Sequence, residues 1–197
     1  MKEEIARIFE ESAKVKQRFA RENAELVLEV VELIAQCFTR GNKLLLFGNG
    51  GSSTDASHMA AEFVNRFLLE RPGLPAIALN TDMAVITSIS NDYDFSEVFA
   101  KQVKALGTQG DVAIGISTSG SSPNVVKAFV AAKEVGMKTV ALTGNKNKGG
   151  KLAAIADYAF VVPSSETPRI QETHITLGHA ICQLVDECLF GNGRKKG

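Results

Sequence analysis

The chain has 197 residues, with 22 basic and 22 acidic side chains, so its formal net charge is zero. A protein that binds nucleic acid mainly by neutralising phosphates carries a basic excess, and a disordered solvating chain carries an acidic one. The balance of charge argues against both classes. A hydrophobic content of 45% with 7% aromatic residues is typical of a globular protein that is long enough to bury a core.

The three cysteines, Cys37, Cys182 and Cys188, are odd in number and follow no zinc-ribbon spacing. Each lies in an apolar segment with helical periodicity, which predicts buried, reduced thiols and a reducing compartment. The acidic, helical residues 1–4 do not resemble a signal peptide, and no apolar run approaches the ~20 residues that span a bilayer. Together these features predict a cytoplasmic protein.

The first elements in chain order are helical. Apolar residues recur at spacings of three and four over residues 2–40, and a charged stretch at residues 21–23 predicts a break between two helices. Gly41 is expected to end the second helix. The apolar stripe of the first helix must be covered by another surface, for which a partner subunit is a candidate.

Short apolar segments then alternate with helical ones. Strands are predicted at residues 43–47, 76–79, 112–117, 138–143 and 158–162, helices at residues 54–69, 123–135 and 169–189, and a polar, disordered tail at residues 191–197. Strands that alternate with helices and are apolar on both faces favour an α/β fold with a parallel sheet covered on both sides. In such sheets ligands bind beyond the carboxyl ends of the strands, so the loops that follow the strands are the places to look for a site.

A glycine-rich loop (residues 48–53, GNGGSS) follows the first strand. It resembles a dinucleotide-binding fingerprint, but Ser53 stands at the third glycine position and no persuasive ribose-binding acid follows. Its glycines, hydroxyls and helix N-terminus favour an anion or a polar sugar. A plain strand-to-helix turn is the alternative.

A serine-rich loop (residues 117–122, STSGSS) follows the third strand and precedes Pro123. Pro123 suits the first helical position and Ser122 the N-cap. Capping alone does not account for Ser117, Thr118 and Ser119, whereas hydroxyls together with backbone N–H groups at a helix start make a neutral cradle for a phosphate monoester. The loop therefore predicts phosphate binding.

A third loop (residues 143–151, TGNKNKGGK) follows the fourth strand. A P-loop requires Gly-Lys followed by Ser or Thr, but here Gly149 precedes another glycine and Leu152 follows the lysine. The pattern therefore does not predict a nucleotide-phosphate site.

All three histidines lie on two predicted helices. His58 and Glu62 are four positions apart, on one helical face, and Gln171, His174 and His179 lie on the last helix. Three interpretations are open. His and Glu at this spacing can ligate zinc, or Glu62 and a histidine can form an acid/base pair. Alternatively, both helical faces are simply solvated. The separation of Gln171 and His179, about 12 Å along a helix, makes Gln171 the weaker candidate ligand.

Six segments together resemble the sugar isomerase (SIS) domain family and, within it, the phosphoheptose isomerases: GNGGSS, HMAAEFVNRF, LPAIALNTD, Asn91-Asp92, STSGSSPN and RIQETHITLGHAICQLVDE. The resemblance implies a three-layer α/β/α sandwich around a five-stranded parallel sheet, in one SIS domain over residues 1–190 that includes the N-terminal helices (about 1–40). It also implies a homotetramer with active sites at subunit interfaces.

The resemblance further implies a site. One zinc ion per subunit would be held by His58, Glu62, Gln171 and His179, and the catalytic acid/base pair would be Glu62 and His179. The residues implied to bind the phosphosugar are Asn49, Gly50, Gly51, Glu62, Asn91, Asp92, Ser117, Thr118, Ser119, Ser122 and Gln171. His174 receives no role.

The implied reaction is the aldose–ketose isomerisation of sedoheptulose 7-phosphate to D-glycero-D-manno-heptose 7-phosphate, the first step toward nucleotide-activated heptose and lipopolysaccharide. A related SIS protein, a non-catalytic regulator that binds a replication initiator, shares the segment from Glu70 through Ala76 and onward (ERPGLPAIALNTD) but lacks the glutamate and the last-helix histidine. Glu62 and His179 are both present here, which favours the isomerase over a protein-binding module. A SIS isomerase or sensor for another sugar phosphate is a third possibility.

Overall fold

The computed structural model describes residues 1–191, so most of the predicted polar tail, residues 192–197, lies outside the described part of the chain. The α-helices are α1 (Lys2–Thr39), α2 (Gly51–Val64), α3 (Met83–Asp92), α4 (Val98–Leu106), α5 (Pro123–Val135), α6 (Gly150–Ile155) and α7 (Thr167–Phe190). The strands are β1 (Leu44–Gly48), β2 (Ala76–Ala78), β3 (Val112–Ser117), β4 (Lys138–Gly144) and β5 (Tyr158–Val162). Two 3₁₀ helices, Phe95–Glu97 and Lys146–Gly149, precede α4 and α6.

The five strands form one parallel sheet in the order β2-β1-β3-β4-β5. Successive side chains of a strand point to opposite faces, so Leu44 and Leu46 of β1 pack on one side, with α1, α2 and α7, whereas Leu45 and Phe47 pack on the other, with α4 and α5. Every residue of β1 and β3 is buried. The α/β/α sandwich predicted for the chain is therefore confirmed.

The sheet order places a topological switch point between β1 and β3. The chain moves outward from β1 to β2 on one side and from β3 to β5 on the other, so the loops after β1 and β3 diverge and leave a crevice at the carboxyl edge. Gly48 pairs in register with Ile116, which brings the ends of both strands, and the two loops that follow them, side by side.

Helix α1 is continuous over 38 residues, so the predicted break at residues 21–23 is wrong. The side chain of Asn23 donates to the carbonyl of Phe19, 2.9 Å away, within the same helix and does not interrupt it. The C-terminal half of α1 packs in the core, but the N-terminal half exposes Ile5, Ile8 and Phe9 (58%, 37% and 73%).

Helix α2 begins three residues earlier and ends five residues earlier than residues 54–69, where the sequence places it. It ends at Val64 because the Arg71 guanidinium donates to the carbonyls of Glu62, Phe63 and Asn65, which have no helical partners left. Helices α3, α4 and α6 have no counterpart among the predicted elements. Helix α3 has no buried residue, although Ile86 and Ile89 pack partly buried against the core.

Cys37 and Cys182 are buried free thiols, as predicted, but Cys188 is exposed, which corrects the prediction for that residue. Burial is the main cause that raises the pKa of Cys37 and that of Cys182 to about 12, so both stay protonated. Over residues 1–191, no helix has both the length and the hydropathy that a membrane span requires.

Candidate active site

The glycine-rich loop forms the entry to α2 at the carboxyl end of β1. Gly50 has φ 55° and ψ −126°, a conformation that favours glycine, and the amides of Ser52 and Ser53 donate to the carbonyls of Asn49 and Gly50 at 3.0 Å. A Cβ at Gly51 would lie 2.1 Å from the amide nitrogen of Gln171. Only glycine therefore lets the Gln171 side chain of α7 approach this loop.

The serine-rich loop lies at the carboxyl end of β3. Ser117 Oγ lies 2.9 Å from Ser122 Oγ and 3.4 Å from Ser119 Oγ, so three hydroxyls converge in front of α5. Pro123 occupies the first turn of α5 as predicted, but Ser122 makes no side-chain capping hydrogen bond, because its hydroxyl is directed to Ser117. Clustered hydroxyls at a helix N-terminus are suited to a phosphate group.

The third loop supports the serine-rich loop by packing. Leu152 N donates to Gly120 O at 2.8 Å, and a Cβ at Gly120, which has φ +64°, would lie 1.8 Å from Gly149 O. A Cβ at Gly150 would likewise lie 2.6 Å from Gly120 O. The glycines of this loop, which do not fit a P-loop, thus allow close backbone packing between the two loops.

Asn49 and Asn124 join the first two loops. Asn49 Nδ2 donates to Asn124 Oδ1, and Asn124 Nδ2 donates to Asn49 Oδ1, both at 2.9 Å. The side chain of Asn49, a predicted substrate contact, is therefore directed toward α5 in this structure. Asn124 is only 2% exposed.

His58, Glu62 and His179 form a compact cluster between α2 and α7. His58 Nε2 lies 2.9 Å from His179 Nε2 and 3.3 Å from Glu62 Oε1, and the possible ligand atoms of all three residues lie within 4.8 Å of one another. The ring of Phe67 stacks on His179 at 5.5 Å between centroids. Two imidazole nitrogens and one carboxylate oxygen are a donor set that zinc accepts, with a fourth position left to another ligand.

Gln171 and His174 lie near the start of the same helix. The Gln171 amide lies against Gly51, between α7 and the glycine-rich loop. His174 is 1% exposed, and its Nε2 lies 3.1 Å from the carbonyl of Thr143 at the end of β4. Burial lowers the pKa of His174 to about 4, so the ring is neutral and donates from Nε2.

Asn91 and Asp92 are not brought into either loop or into the cluster. Both are exposed at the end of α3, and Asn91 Nδ2 donates to Asp92 Oδ1 at 2.9 Å. Apart from this bond to each other, neither side chain hydrogen-bonds to a predicted site residue among the described residues.

Comparisons with known proteins assign the chain to a family. The SIS domain family model matches residues 8–144. A phosphoheptose isomerase of Thermodesulfovibrio yellowstonii is 64% identical over 190 residues, which are 96% of this chain and 94% of that protein. The chain belongs to the phosphoheptose isomerase family. A solved phosphoheptose isomerase from Neisseria gonorrhoeae is 46% identical, with a TM-score of 0.88 over 94% of this chain and 98% of that one. One from Francisella tularensis is 38% identical, with a TM-score of 0.89 over 94% and 97%.

Two asparagines beside the loops of this phosphoheptose isomerase family member were missed in the sequence analysis. Asn80 donates to Ser53 O and Ser57 Oγ, both at 2.9 Å, and lines a cavity of about 160 Å³ beside the glycine-rich loop. Its Oδ1 is buried and has no hydrogen-bond partner among the described residues, so it can accept a bond from a ligand hydroxyl. Its position just after β2 was the only signal available in the sequence. The second missed residue, Asn124, follows Pro123 at the start of α5.

Proposed function

We propose that the protein converts the ketose sedoheptulose 7-phosphate to the aldose D-glycero-D-manno-heptose 7-phosphate. Family membership supports an aldose–ketose isomerase, and the observation that carries the proposal is the convergence of Glu62 with His58 and His179. This reaction needs a base for a carbon-bound proton and a second group for the oxygen-bound protons. Helices α2 and α7 each supply one such group to the cluster.

The serine-rich loop is the proposed phosphate site. Ser117, Thr118, Ser119 and Ser122 offer hydroxyls, and the backbone at the start of α5 offers further donors. A dianionic phosphate would thus be held by dipoles, which agrees with a chain of zero net charge. The sugar would extend from this loop toward Asn49, Gly50, Gly51 and Gln171. Asn91 and Asp92 remain proposed contacts from α3, although they lie apart from the loops in this chain.

We assign the transfer of the carbon-bound proton to Glu62. Its carboxylate would remove a proton from C1 of the ketose and return it to C2, while His179 moves the proton that leaves the oxygen on C1 to the oxygen on C2. The bonds balance, because one C–H and one O–H bond break and one of each forms. Glu62 is 21% exposed, so it is partly shielded but open to a substrate.

The residues present fit a zinc ion, which His58, Glu62, His179 and Gln171 would hold. When bound, zinc polarises a carbonyl and stabilises the charge of an ene-diolate. Independently of the ion, His58 keeps Glu62 and His179 within reach of one another, because its Nε2 contacts both.

We further propose a cytoplasmic homotetramer with active sites at subunit interfaces. Two features support assembly: the exposed apolar residues of the N-terminal half of α1, and an apolar groove of about 340 Å³ between α1 and α7 that includes Phe19, Leu28 and Leu177. The free thiols support a reducing compartment. The product would supply nucleotide-activated heptose for lipopolysaccharide.

The test is turnover in deuterated water. The zinc-loaded protein is incubated with sedoheptulose 7-phosphate, and the product is followed by NMR. We expect an aldose that carries deuterium at C2, because the proton shuttle exchanges with solvent. The Glu62→Gln variant should lose turnover by at least about 100-fold, whereas Glu70→Gln, an exposed residue beyond α2, should not. No aldose with or without zinc would disprove the proposal, and full turnover by Glu62→Gln would disprove the role of Glu62.

A further inference from the structure

The Asn49–Asn124 pair is a cyclic arrangement of two amides. Each side chain donates once to the other and accepts once from it, at 2.9 Å in both directions. Exchanging oxygen and nitrogen in both side chains at once would preserve the ring, but only the orientation present lets Asn124 Oδ1 also accept from the amide of Val125. Asn124 is 2% exposed, whereas Asn49 is partly exposed and lines the cavity beside the glycine-rich loop.

Both members of the pair are fixed to a helix start. Asn124 Oδ1 also accepts from the amide of Val125 at 3.0 Å, in the first turn of α5. The carbonyl of Asn49 accepts from Ser52 N in the first turn of α2. The pair therefore connects the entry to α2, which carries His58 and Glu62, with the entry to α5, where the serine-rich loop ends.

Burial leaves Asn124 poorly placed for direct contact with a substrate, and both polar atoms of its side chain already make hydrogen bonds. Its carbonyl oxygen accepts two hydrogen bonds, its nitrogen donates one, and the side chain is almost fully buried. Simple packing of α5 against the sheet would not require an amide here, because burying two amides is favourable only when they pair. Asn124 thus needs an explanation other than core packing or substrate contact.

We propose that Asn124 is a positioning residue, and that its pair with Asn49 fixes the spacing between the serine-rich loop and the glycine-rich loop. The phosphate would then be anchored at one loop while the reacting carbons are held at a set distance, near Glu62. A displacement of about 1 Å between anchor and reacting atoms lowers turnover by about 100-fold in well-oriented reactions. This inference rests on the proposed isomerase function.

The variant Asn124→Asp tests the pair with almost no change in shape. A protonated Asp carboxyl reproduces the ring, because its O–H donates to Asn49 Oδ1 and its C=O accepts from Asn49 Nδ2. The ionised carboxylate has no donor, so one of its oxygens faces Asn49 Oδ1 without a proton between them. The pairing should therefore be present at low pH and lost at higher pH.

The charged groups of α2 and α5 affect only the pH at which the introduced carboxyl of Asn124→Asp ionises. Lys127, the first charged residue of α5, is already paired with Glu97 at 2.6 Å. Asp55 lies in the second turn of α2, and its burial raises its own pKa. Neither group changes the direction of the effect, because only the protonated acid can donate to Asn49.

The experiment measures kcat, KM and the Kd of inorganic phosphate between pH 5.5 and 8.5 for the zinc-loaded wild type and Asn124→Asp. We expect the ratio of kcat in the variant to kcat in the wild type to fall about 10- to 100-fold as pH rises. The phosphate Kd should stay within about 3-fold of the wild type, because the hydroxyls of the serine-rich loop remain. Asn145→Asp, which adds an exposed charge after β4, is the control and should give a ratio that does not change with pH.

Four outcomes overturn the proposal. One is a kcat ratio that stays constant with pH while wild type and variant are both folded, and another is a proportional loss of kcat and phosphate affinity, which would indicate a collapsed loop. If Asn124→Asp unfolds at high pH, the mirror variant Asn49→Asp carries the same expectation, and a flat ratio there overturns the proposal. A wild type without turnover disproves the isomerase function, and the positioning role with it, which distinguishes that failure from the first two.

Discussion

Arg71 Nε donates to Asp186 Oδ1 at 2.8 Å, and both side chains are only 1% exposed. The same guanidinium donates to the carbonyls of Glu62 and Phe63 at the end of α2, at 2.9 and 2.7 Å. Asp186 lies on α7, two turns beyond His179. One arginine therefore connects the two helices that supply the His58, Glu62 and His179 cluster.

Breaking this buried pair on one side should be strongly destabilising. Arg71→Leu leaves a buried carboxylate without a partner, and we expect a loss of about 3–5 kcal/mol in the free energy of unfolding. Adding Asp186→Leu removes that charge, so it should stabilise the Arg71→Leu background although it destabilises the wild type. Urea denaturation of the four proteins gives the sign of each step. If Asp186→Leu destabilises the Arg71→Leu protein as well as the wild type, this account is contradicted.

Metal binding should depend on all three members of the cluster. Loss of a residue that only hydrogen-bonds to a metal ligand typically weakens metal binding by about 10- to 100-fold. We expect His58→Ala and His179→Ala each to weaken zinc binding by more than this, because each removes a ligand. Equilibrium dialysis against zinc measures this without any substrate. Glu70→Gln, in the exposed segment beyond α2, is the control. Unchanged zinc affinity in both histidine variants would rule out the cluster as the metal site.

His174 should make the fold sensitive to mild acid. Its folded pKa of about 4 lies below the ordinary value of 6.5, because burial disfavours the charged ring. The unfolded state therefore binds a proton first, so the contribution to stability is present above pH 6.5 and is lost as pH falls toward 4. We expect the free energy of unfolding to fall by about 3 kcal/mol between pH 6.5 and pH 4.

His174→Gln separates this effect from other acid-sensitive groups. The variant should be less stable than the wild type at pH 7 by about 1–3 kcal/mol, because the bond to the Thr143 carbonyl is weakened or lost. Its stability should then change less between pH 6.5 and 4. Urea midpoints at both pH values provide the measurement, and parallel pH slopes for the two proteins would be evidence against the assignment.

Gly120 and Gly41 provide a matched pair of substitutions. Both have positive φ, +64° and +77°, but a Cβ at Gly120 would meet Gly149 O at 1.8 Å, whereas a Cβ at Gly41 would meet nothing within 4 Å. Gly41→Ala should therefore lower the free energy of unfolding only by the backbone strain, about 1–2 kcal/mol. Gly120→Ala should cost more and weaken phosphate binding. Thermal unfolding and phosphate titration test both, and equal effects would show that the loop contact is unimportant.

The strands were predictable because each is a short apolar run between breaking residues. Residues 112–117 and 158–162 were predicted with the bounds that the structure has, and so was the helix that begins at Pro123. Helix α3 was missed because its residues 85–90 are all β-branched or serine, which have low helix propensity. Asp82 nevertheless caps it by accepting from Ala84 N and Val85 N. The false break in α1 arose because charged residues within a helix were taken for its end.

The site was only partly predictable from residue patterns. The spacing of His58 and Glu62 indicates a shared helical face, but nothing in it indicates that His179, 121 positions away, reaches the same point. That convergence depends on how α2 and α7 pack, and it was expected only through the family resemblance. The pair between Asn49 and Asn124 was not foreseen, because its two residues belong to separate loop motifs.

The N-terminal half of α1 should also act as a reporter of assembly. Residues 2–10 are exposed, and the ion pairs within the helix, such as Arg18 with Glu22 at 2.8 Å, contribute only about 0.3–0.5 kcal/mol each. The backbone amides there should exchange rapidly with heavy water in an isolated subunit, whereas those of the core half exchange slowly. Upon dilution, faster exchange confined to this half would mark the concentration at which the subunits separate.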